Sequence, residues 1–263
     1  MQFRYVDAHC HLQFDDYSAD AEKLIARMRE ESVVGIVVGT DYESSQKAVA
    51  LAEQHEHLFA SVGLHPNCVA DEIFDEEKYR ALAQNPKVVA IGECGLDYFR
   101  NKTEKRAQQE SLRAQIALAD ELNKPLIIHC RPSKGTNDAY HDLIAILKET
   151  GGRGDVHFFV GGISEAKQLI ALGFTVSFTA VITFTHDYDQ VIKSLPIRSI
   201  LSETDAPYVA PASHRGSRND PLAVIDIVRQ IATIRDEDTE VIRQALFANA
   251  SRIFPQVAAA QNP

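Results

Sequence analysis

Asp7-Ala8-His9-Cys10-His11-Leu12 closes the first strand-like run of this 263-residue chain. Residues two apart on a β-strand point to the same face, so His9 and His11 present two imidazoles side by side. Neutral imidazole is a ligand for several divalent metals, and the pair amounts to half of a metal site. The same stretch decides the fold. A doubly wound dinucleotide-binding sheet carries Gly-x-Gly-x-x-Gly after its first strand, and here a histidine pair stands in that place.

Outward from it, short apolar or β-branched runs recur at 5–11, 35–40, 58–65, 88–93, 125–130, 155–159, 175–179 and 199–205. Several are continuously apolar rather than alternating, as suits parallel strands covered on both faces. Helical spacing fills gaps at 21–31, 44–56, 105–123, 140–148, 165–172, 221–234 and 238–249. Gly151 and Gly173 follow two of these helices as stop signals, and Asn219-Asp220-Pro221 caps another. Eight strands alternating with helices, in a chain near the usual barrel size of about 250 residues, predict an α/β fold. The expectation is one (β/α)8 TIM barrel over 1–255, with a flexible tail over 256–263.

Composition narrows the class. The chain is 45% hydrophobic and 24% charged, an ordinary globular balance. Its net charge of −10 disfavours broad binding to nucleic acid, which depends on Lys and Arg neutralising phosphates. A phosphate-bearing substrate has to be held locally, by metal ions and a few arginines. The first residues lack a basic signal-peptide start, and no apolar run approaches the roughly 20 residues of a membrane span. A cytoplasmic protein without a membrane partner is expected. Cys10, Cys68, Cys94 and Cys130 form no Cys-x-x-Cys pair. Three of them directly follow a candidate ligand, so on strand alternation they face the opposite side as reduced, buried filler.

Barrel enzymes carry their chemistry at the C-terminal ends of the strands. Those ends supply His9 and His11, then His65, Glu93, His129, His157 and finally Glu203-Thr204-Asp205. A lone histidine at a strand end is usually structural; five together with carboxylates are costly to bury unless a divalent metal satisfies them. The number of ligands suggests two ions. His9, His11 and Asp205 suit one, His129 and His157 the other, and Glu93 lies between as a bridge. Two such ions clamp a phosphoryl or carbonyl centre and acidify water, which implies hydrolysis. Imidazole with carboxylate suits Zn2+ or Mn2+, whereas Mg2+ usually prefers oxygen shells. No Gly-x-Ser-x-Gly or Walker loop points to other chemistry.

DAHCHL (7–12), GLHP (63–66), GECGLD (92–97), IHCR (128–131), HFFVGG (157–162), ETDAPY (203–208) and RGSRNDP (215–221) together resemble the TatD family of metal-dependent hydrolases. The resemblance runs in order over nearly the whole chain. It implies an amidohydrolase-like TIM barrel and a deoxyribonuclease, a 3′–5′ exonuclease on single-stranded or frayed DNA ends. It also implies that His9, His11, Glu93, His129, His157 and Asp205 are the metal ligands. Asp205 and Glu93 then act at the catalytic centre, Asp205 also taking a proton from the attacking water. His65 goes to the substrate phosphate or leaving group. Arg131, Arg215 and Arg218 are phosphate contacts or simply solvated charges, and Glu203 orients ligands. Asn67, Phe158-Phe159-Val160 and Asp220 depart from the family's His, Cys-Phe-Ser and Glu. The competing readings are an amidohydrolase or lactonase on a small molecule, and a non-catalytic barrel with a structural metal. Amidohydrolases of that kind commonly bridge their metals with a carboxylated lysine on strand 4; Glu93 holds that place here.

Overall fold

The computed structural model describes residues 3–100 and 102–259. Eight parallel strands follow one another in chain order: β1 (Tyr5–Cys10), β2 (Val33–Val38), β3 (Leu58–Val62), β4 (Val88–Asp97), β5 (Leu126–Arg131), β6 (Gly154–His157), β7 (Phe174–Phe178) and β8 (Ile200–Ser202). Helices α1 (Ala21–Glu30), α2 (Tyr42–Gln54), α3 (Glu76–Ala83), α4 (Lys105–Glu121), α5 (Asp138–Thr150), α6 (Ile163–Ala171), α7 (Asp189–Ser194) and α8 (Val224–Arg235) connect or cover them. The chain ends with α9 (Thr239–Ile253) and α10 (Pro255–Ala259). This is the TIM barrel expected from the alternation of strand and helix patterns.

Alternation sorts the side chains. On β2, Val33 and Val37 join the layer between strands and helices, while Val34, Ile36 and Val38 join a second apolar cluster. That second cluster also takes Phe59, Ile127 and Leu201, and receives Ile253, Phe254 and Val257 from the C-terminal helices. The N-terminal end of the barrel is therefore plugged with hydrocarbon. Fully burying Phe254 there contributes roughly 1.5–3 kcal/mol. Residues 256–259, within the expected tail, lie in α10, where Val257 is wholly buried. The tail's last residues, 260–263, lie outside the described residues.

Barrel closure is made by backbone and one carboxylate. Asp205 N–H donates to the His9 carbonyl at 2.9 Å, and His11 N–H to the Ala206 carbonyl at 2.8 Å. Asp7, completely buried, accepts from Thr204 N at 2.8 Å and from Thr204 Oγ1 at 2.6 Å. These bonds hold the residues after β8 against β1. In the pairing of β1 with β2, Asp7 sits opposite Gly35 but Cys10 opposite Val37, so one extra residue slips in. That slip lets Val6 and Ala8 join the apolar interior while His9 and His11 serve the polar end.

Strand lengths differ from expectation at informative places. β4 continues past Glu93 to Asp97 because Gly92 and Gly95 take positive φ and allow close approach to β5. A Cβ at Gly95 would sit 1.9 Å from the His129 carbonyl oxygen. β3 and β8 stop early, leaving His65 and Glu203–Asp205 on loops just beyond strand ends. Helices α3 and α7 were not anticipated; both are short, with few buried apolar positions to mark a period.

Two stability outcomes follow. Asp7→Ala leaves the Thr204 N–H without its buried acceptor and is expected to cost about 1–3 kcal/mol in urea unfolding. Inside the barrel, Asp155 is wholly buried and accepts from Thr175 and Ser177 hydroxyls. Burial, reinforced by Glu203, pushes its pKa up to about 7 from 3.8. The folded state thus holds this proton longer than the unfolded chain, so stability falls as pH rises from about 4 to about 7. Asp155→Asn should flatten that part of the profile, read from urea midpoints of metal-free protein at pH 5 and 8.

Candidate metal centre

The C-terminal mouth of the barrel gathers His9, His11, His65, Glu93, His129, His157 and Asp205, every one of them largely buried. Glu93, from β4, is the centre. Its Oε2 lies 3.4 Å from His9 Nε2 and 3.9 Å from His11 Nε2. Its Oε1 lies 2.8 Å from His157 Nε2, 3.0 Å from His129 Nδ1 and 3.4 Å from His65 Nε2. One carboxylate oxygen faces each side. Asp205 Oδ1 completes the first side, 3.4 Å from His11 Nε2 and 3.8 Å from His9 Nε2. On the second side, His129 Nδ1 and His157 Nε2 are 3.3 Å apart.

The outward nitrogens of the imidazoles assign their protons. His11 Nδ1 is 2.7 Å from the Val38 carbonyl, which only accepts, so Nδ1 carries the hydrogen and Nε2 shows a lone pair to the pocket. His129 Nε2 faces Asp97 Oδ2 at 3.3 Å, leaving Nδ1 as the pocket-facing lone pair. Glu203 faces two rings: its Oε2 lies 3.5 Å from His157 Nδ1 and 3.8 Å from His9 Nδ1, while its Oε1 accepts from Phe158 N–H. Three imidazole nitrogens, on His11, His129 and His157, therefore show lone pairs toward the two carboxylates, while Glu203 lies too far from His9 Nδ1 to set that ring's tautomer. His9 Nε2 and His11 Nε2 stand 3.2 Å apart. Such a donor set is repulsive by itself and becomes favourable around divalent cations, so these residues fit a metal.

His65 is different. Its Nδ1 accepts from the Asn67 backbone N–H at 3.0 Å, so its Nε2 carries the hydrogen and offers the pocket a donor rather than a lone pair. By distance alone His65, Glu93 and His129 also form a possible ligand group, as do His9, His11 and Glu93, and His9, His157 and Asp205. The proton on Nε2 separates His65 from the others.

The electrostatics show a site that attracts positive charge. Burial opposes ionisation of His157, yet Glu93 and Glu203 beside it hold its pKa well above the ordinary value. His11 and His129 are likewise raised despite burial, by Asp205 and by Asp97 with Glu93 respectively. Burial works to raise Glu93, but the surrounding histidines win and hold its carboxyl well below the usual range. His9 and His65 are lowered, chiefly by burial.

Asp97 is the residue missed in the sequence. It lies within the quoted 92–97 motif, but the strand was expected to end at Glu93. Besides facing His129, it accepts from Asn67 Nδ2 at 2.9 Å and from Arg100 N–H at 2.8 Å. The family departure at Asn67 thus supports this carboxylate. Phe158 sits at positive φ with its N–H on Glu203, and Asp220 caps the turn before α8 by accepting from Leu222 N–H. The three arginines are not gathered with the ligands. Arg131 lies over the Phe99 ring and Arg215 over the Phe184 ring, while Arg218 makes a two-pronged ion pair with Asp20. Cys10, Cys94 and Cys130 are buried among strand and helix side chains.

Comparison with known proteins places the chain among relatives. The sequence model of the family described as TatD related DNase matches residues 6–255. An uncharacterized metal-dependent hydrolase, YabD, of Bacillus subtilis is 37% identical over 94% of this chain and 98% of its own length. A Yersinia pseudotuberculosis protein named 3′-5′ ssDNA/RNA exonuclease TatD is 32% identical over 94% of this chain and 98% of its own. The crystal structure of the Escherichia coli TatD homologue YjjV superposes with a TM-score of 0.87 at 31% identity, covering 97% of this chain and 99% of that one.

Because Glu203 backs the His157 ring, a candidate ligand, Glu203→Gln should leave the fold intact and weaken divalent-metal affinity about 10–100-fold. Calorimetric titration with Mn2+ or Zn2+ measures it; unchanged affinity would remove Glu203 from ligand positioning.

Proposed function

The chain belongs to the TatD related DNase family and is a metal-dependent hydrolase, and from that premise we propose that it cleaves phosphodiester bonds of DNA, as a 3′–5′ exonuclease on single-stranded or frayed ends, using two divalent ions. The observation that carries the reading is Glu93, whose two oxygens address two separate sets of pocket-facing ligand atoms. His9, His11 and Asp205 would hold one ion and His129 and His157 the other, with Glu93 reaching both sets. Bound divalent ions supply Lewis acidity toward the phosphoryl oxygens and acidify the attacking water.

The chain's own groups do the rest. Asp205 is buried but held below the usual carboxylate range by His11, His157 and His9, so it stands ionised and able to take a proton from water. His65 directs an N–H into the site, suited to a phosphate oxygen or the departing oxygen. Glu203 and Asp97 hold the ligand imidazoles in the required tautomers. Arg131 and Arg215 supply phosphate contacts, whereas Arg218 is committed to Asp20 and supports the loop that carries Arg215. Small cyclic amide or lactone chemistry is disfavoured because the lysine nearest in sequence, Lys87, spends its ammonium on the His55, Glu56 and Leu58 carbonyls at the far end of β4. The unpaired cysteines accord with a reducing, cytoplasmic setting. Among the described residues, no helix is long and apolar enough to cross a membrane.

A metal-reconstituted panel of end-labelled single-stranded DNA, duplex DNA, RNA, amide and lactone substrates tests the reading, with single-stranded DNA expected to be cut from its 3′ end. In that assay Glu93→Ala and His129→Ala should abolish cleavage. His65→Ala should keep the metal stoichiometry, counted by elemental analysis, while kcat falls about 10²–10⁴-fold. Loss of metal in His65→Ala would move His65 into the ligand set.

A further inference from the structure

The mouth of the barrel is ringed by exposed aromatic side chains that the folding of the barrel does not require. Phe99 on the loop after β4 is 48% exposed, Phe184 on the loop after β7 is 39% exposed, and Tyr208 on the loop after β8 is 52% exposed. Phe99 and Tyr208 stand close to the candidate metal centre. Phe99 lies two residues beyond Asp97, and Tyr208 donates its backbone N–H to the carbonyl of Asp205 at 2.9 Å. The Tyr208 ring stands edge-on to His11 with centroids 6.3 Å apart. The loop of Phe184 is tied to the loop after β8 by the Ala212 N–H, which donates to Thr183 Oγ1 at 2.9 Å.

Two of the rings carry a guanidinium. Arg131 lies 4.1 Å from the Phe99 centroid and Arg215 3.7 Å from that of Phe184. Arg131 shares its strand face with His129, two residues before it, and both keep some exposure while Cys130 between them is buried. An arginine on an exposed ring contributes little stability by itself. Even so, the exposures of Phe99 and Phe184 are what remains after each has been partly covered. Each pair offers an open aromatic surface beside a fixed positive charge. With a net charge of −10, the chain repels polyanions in general, so these charges matter where they stand.

From this arrangement we infer that the Phe99–Arg131 and Phe184–Arg215 stacks are base-stacking platforms that select unpaired nucleotides for the metal centre. A base lies on the open part of each ring, and the neighbouring guanidinium takes the adjacent phosphate. Stacking of this kind requires a base that has left its duplex partner, and it tolerates sequence because every base has a flat face. Paired ends are thereby excluded without any base-specific hydrogen bond. The inference rests on the nuclease reading and deepens it by naming the side chains that choose the substrate.

The test compares wild type, Phe99→Ala, Phe184→Ala, the double variant and Phe99→Tyr, all metal-loaded and checked for unchanged Tm. The substrates are a single-stranded DNA oligonucleotide, its RNA counterpart, and the same DNA with tetrahydrofuran abasic analogues at three positions from each end. Wild type should favour the base-bearing over the abasic DNA in kcat/KM by about tenfold or more, mostly through KM. That ratio should fall toward one in the double variant, by less in each single variant, and be retained by Phe99→Tyr. A matching fall in kcat/KM on RNA in the double variant supports platforms that read base faces rather than the sugar. Wild-type cleavage indifferent to the presence of bases, or a base preference that survives in the double variant, overturns the platforms while leaving the nuclease reading in place. A wild type that cleaves none of the oligonucleotides overturns the nuclease reading and the platforms with it.

Discussion

The structure turns on the Glu93 carboxylate, enclosed by the nitrogens of five imidazoles. Three of those nitrogens, on His11, His129 and His157, show lone pairs to the pocket, and His9 Nε2 stands 3.2 Å from that of His11. In a dry cavity such a convergence is unfavourable unless positive charge sits among the donors. The raised pKa values of His11, His129 and His157 and the lowered value of Glu93 express the same demand. A divalent cation meets it with more charge than a proton and without disturbing the tautomers that the surrounding groups impose.

That demand explains why the ring outside the ligands is anionic and rigid. Glu203 and Asp97 each approach the far side of ligand imidazoles, and each is itself fixed by backbone N–H donors. Asn67 links the two kinds of histidine: its backbone N–H sets the tautomer of His65, and its side chain holds Asp97 behind His129. One residue thereby helps distinguish a candidate metal ligand from a proton-bearing side chain. Below this layer the barrel interior changes character, from the Asp155–Thr175–Ser177 group to hydrocarbon sealed by Phe254 and Val257. The polar end can be costly because the opposite end supplies apolar burial.

Much of this was legible before any coordinates. Apolar strand runs and helical spacing predict the barrel, and strand-end position selects His9, His11, His65, Glu93, His129, His157 and Glu203–Asp205, which the fold does bring together. Asp97 was missed because a strand reading stops at the first charged residue after an apolar run, whereas glycines at 92 and 95 let β4 continue. The short, small-residue helix α10 carries almost no period in the sequence, so only its packing against the barrel end shows Val257 buried there. The arginines were readable as charges but not as partners of particular rings.

The sequence by itself determined the kind of chemistry: which donor atoms exist, and that a parallel barrel carries them to one end. Strand alternation and βα connection are local properties, written in neighbouring residues. Tertiary structure alone decided which nitrogen of each ring faces the pocket, because that choice belongs to groups distant in sequence. Val38 sets it for His11, Asp97 for His129, and Glu203 for His157. A histidine's role is fixed by the partner of its other nitrogen, and only the closed barrel supplies that partner.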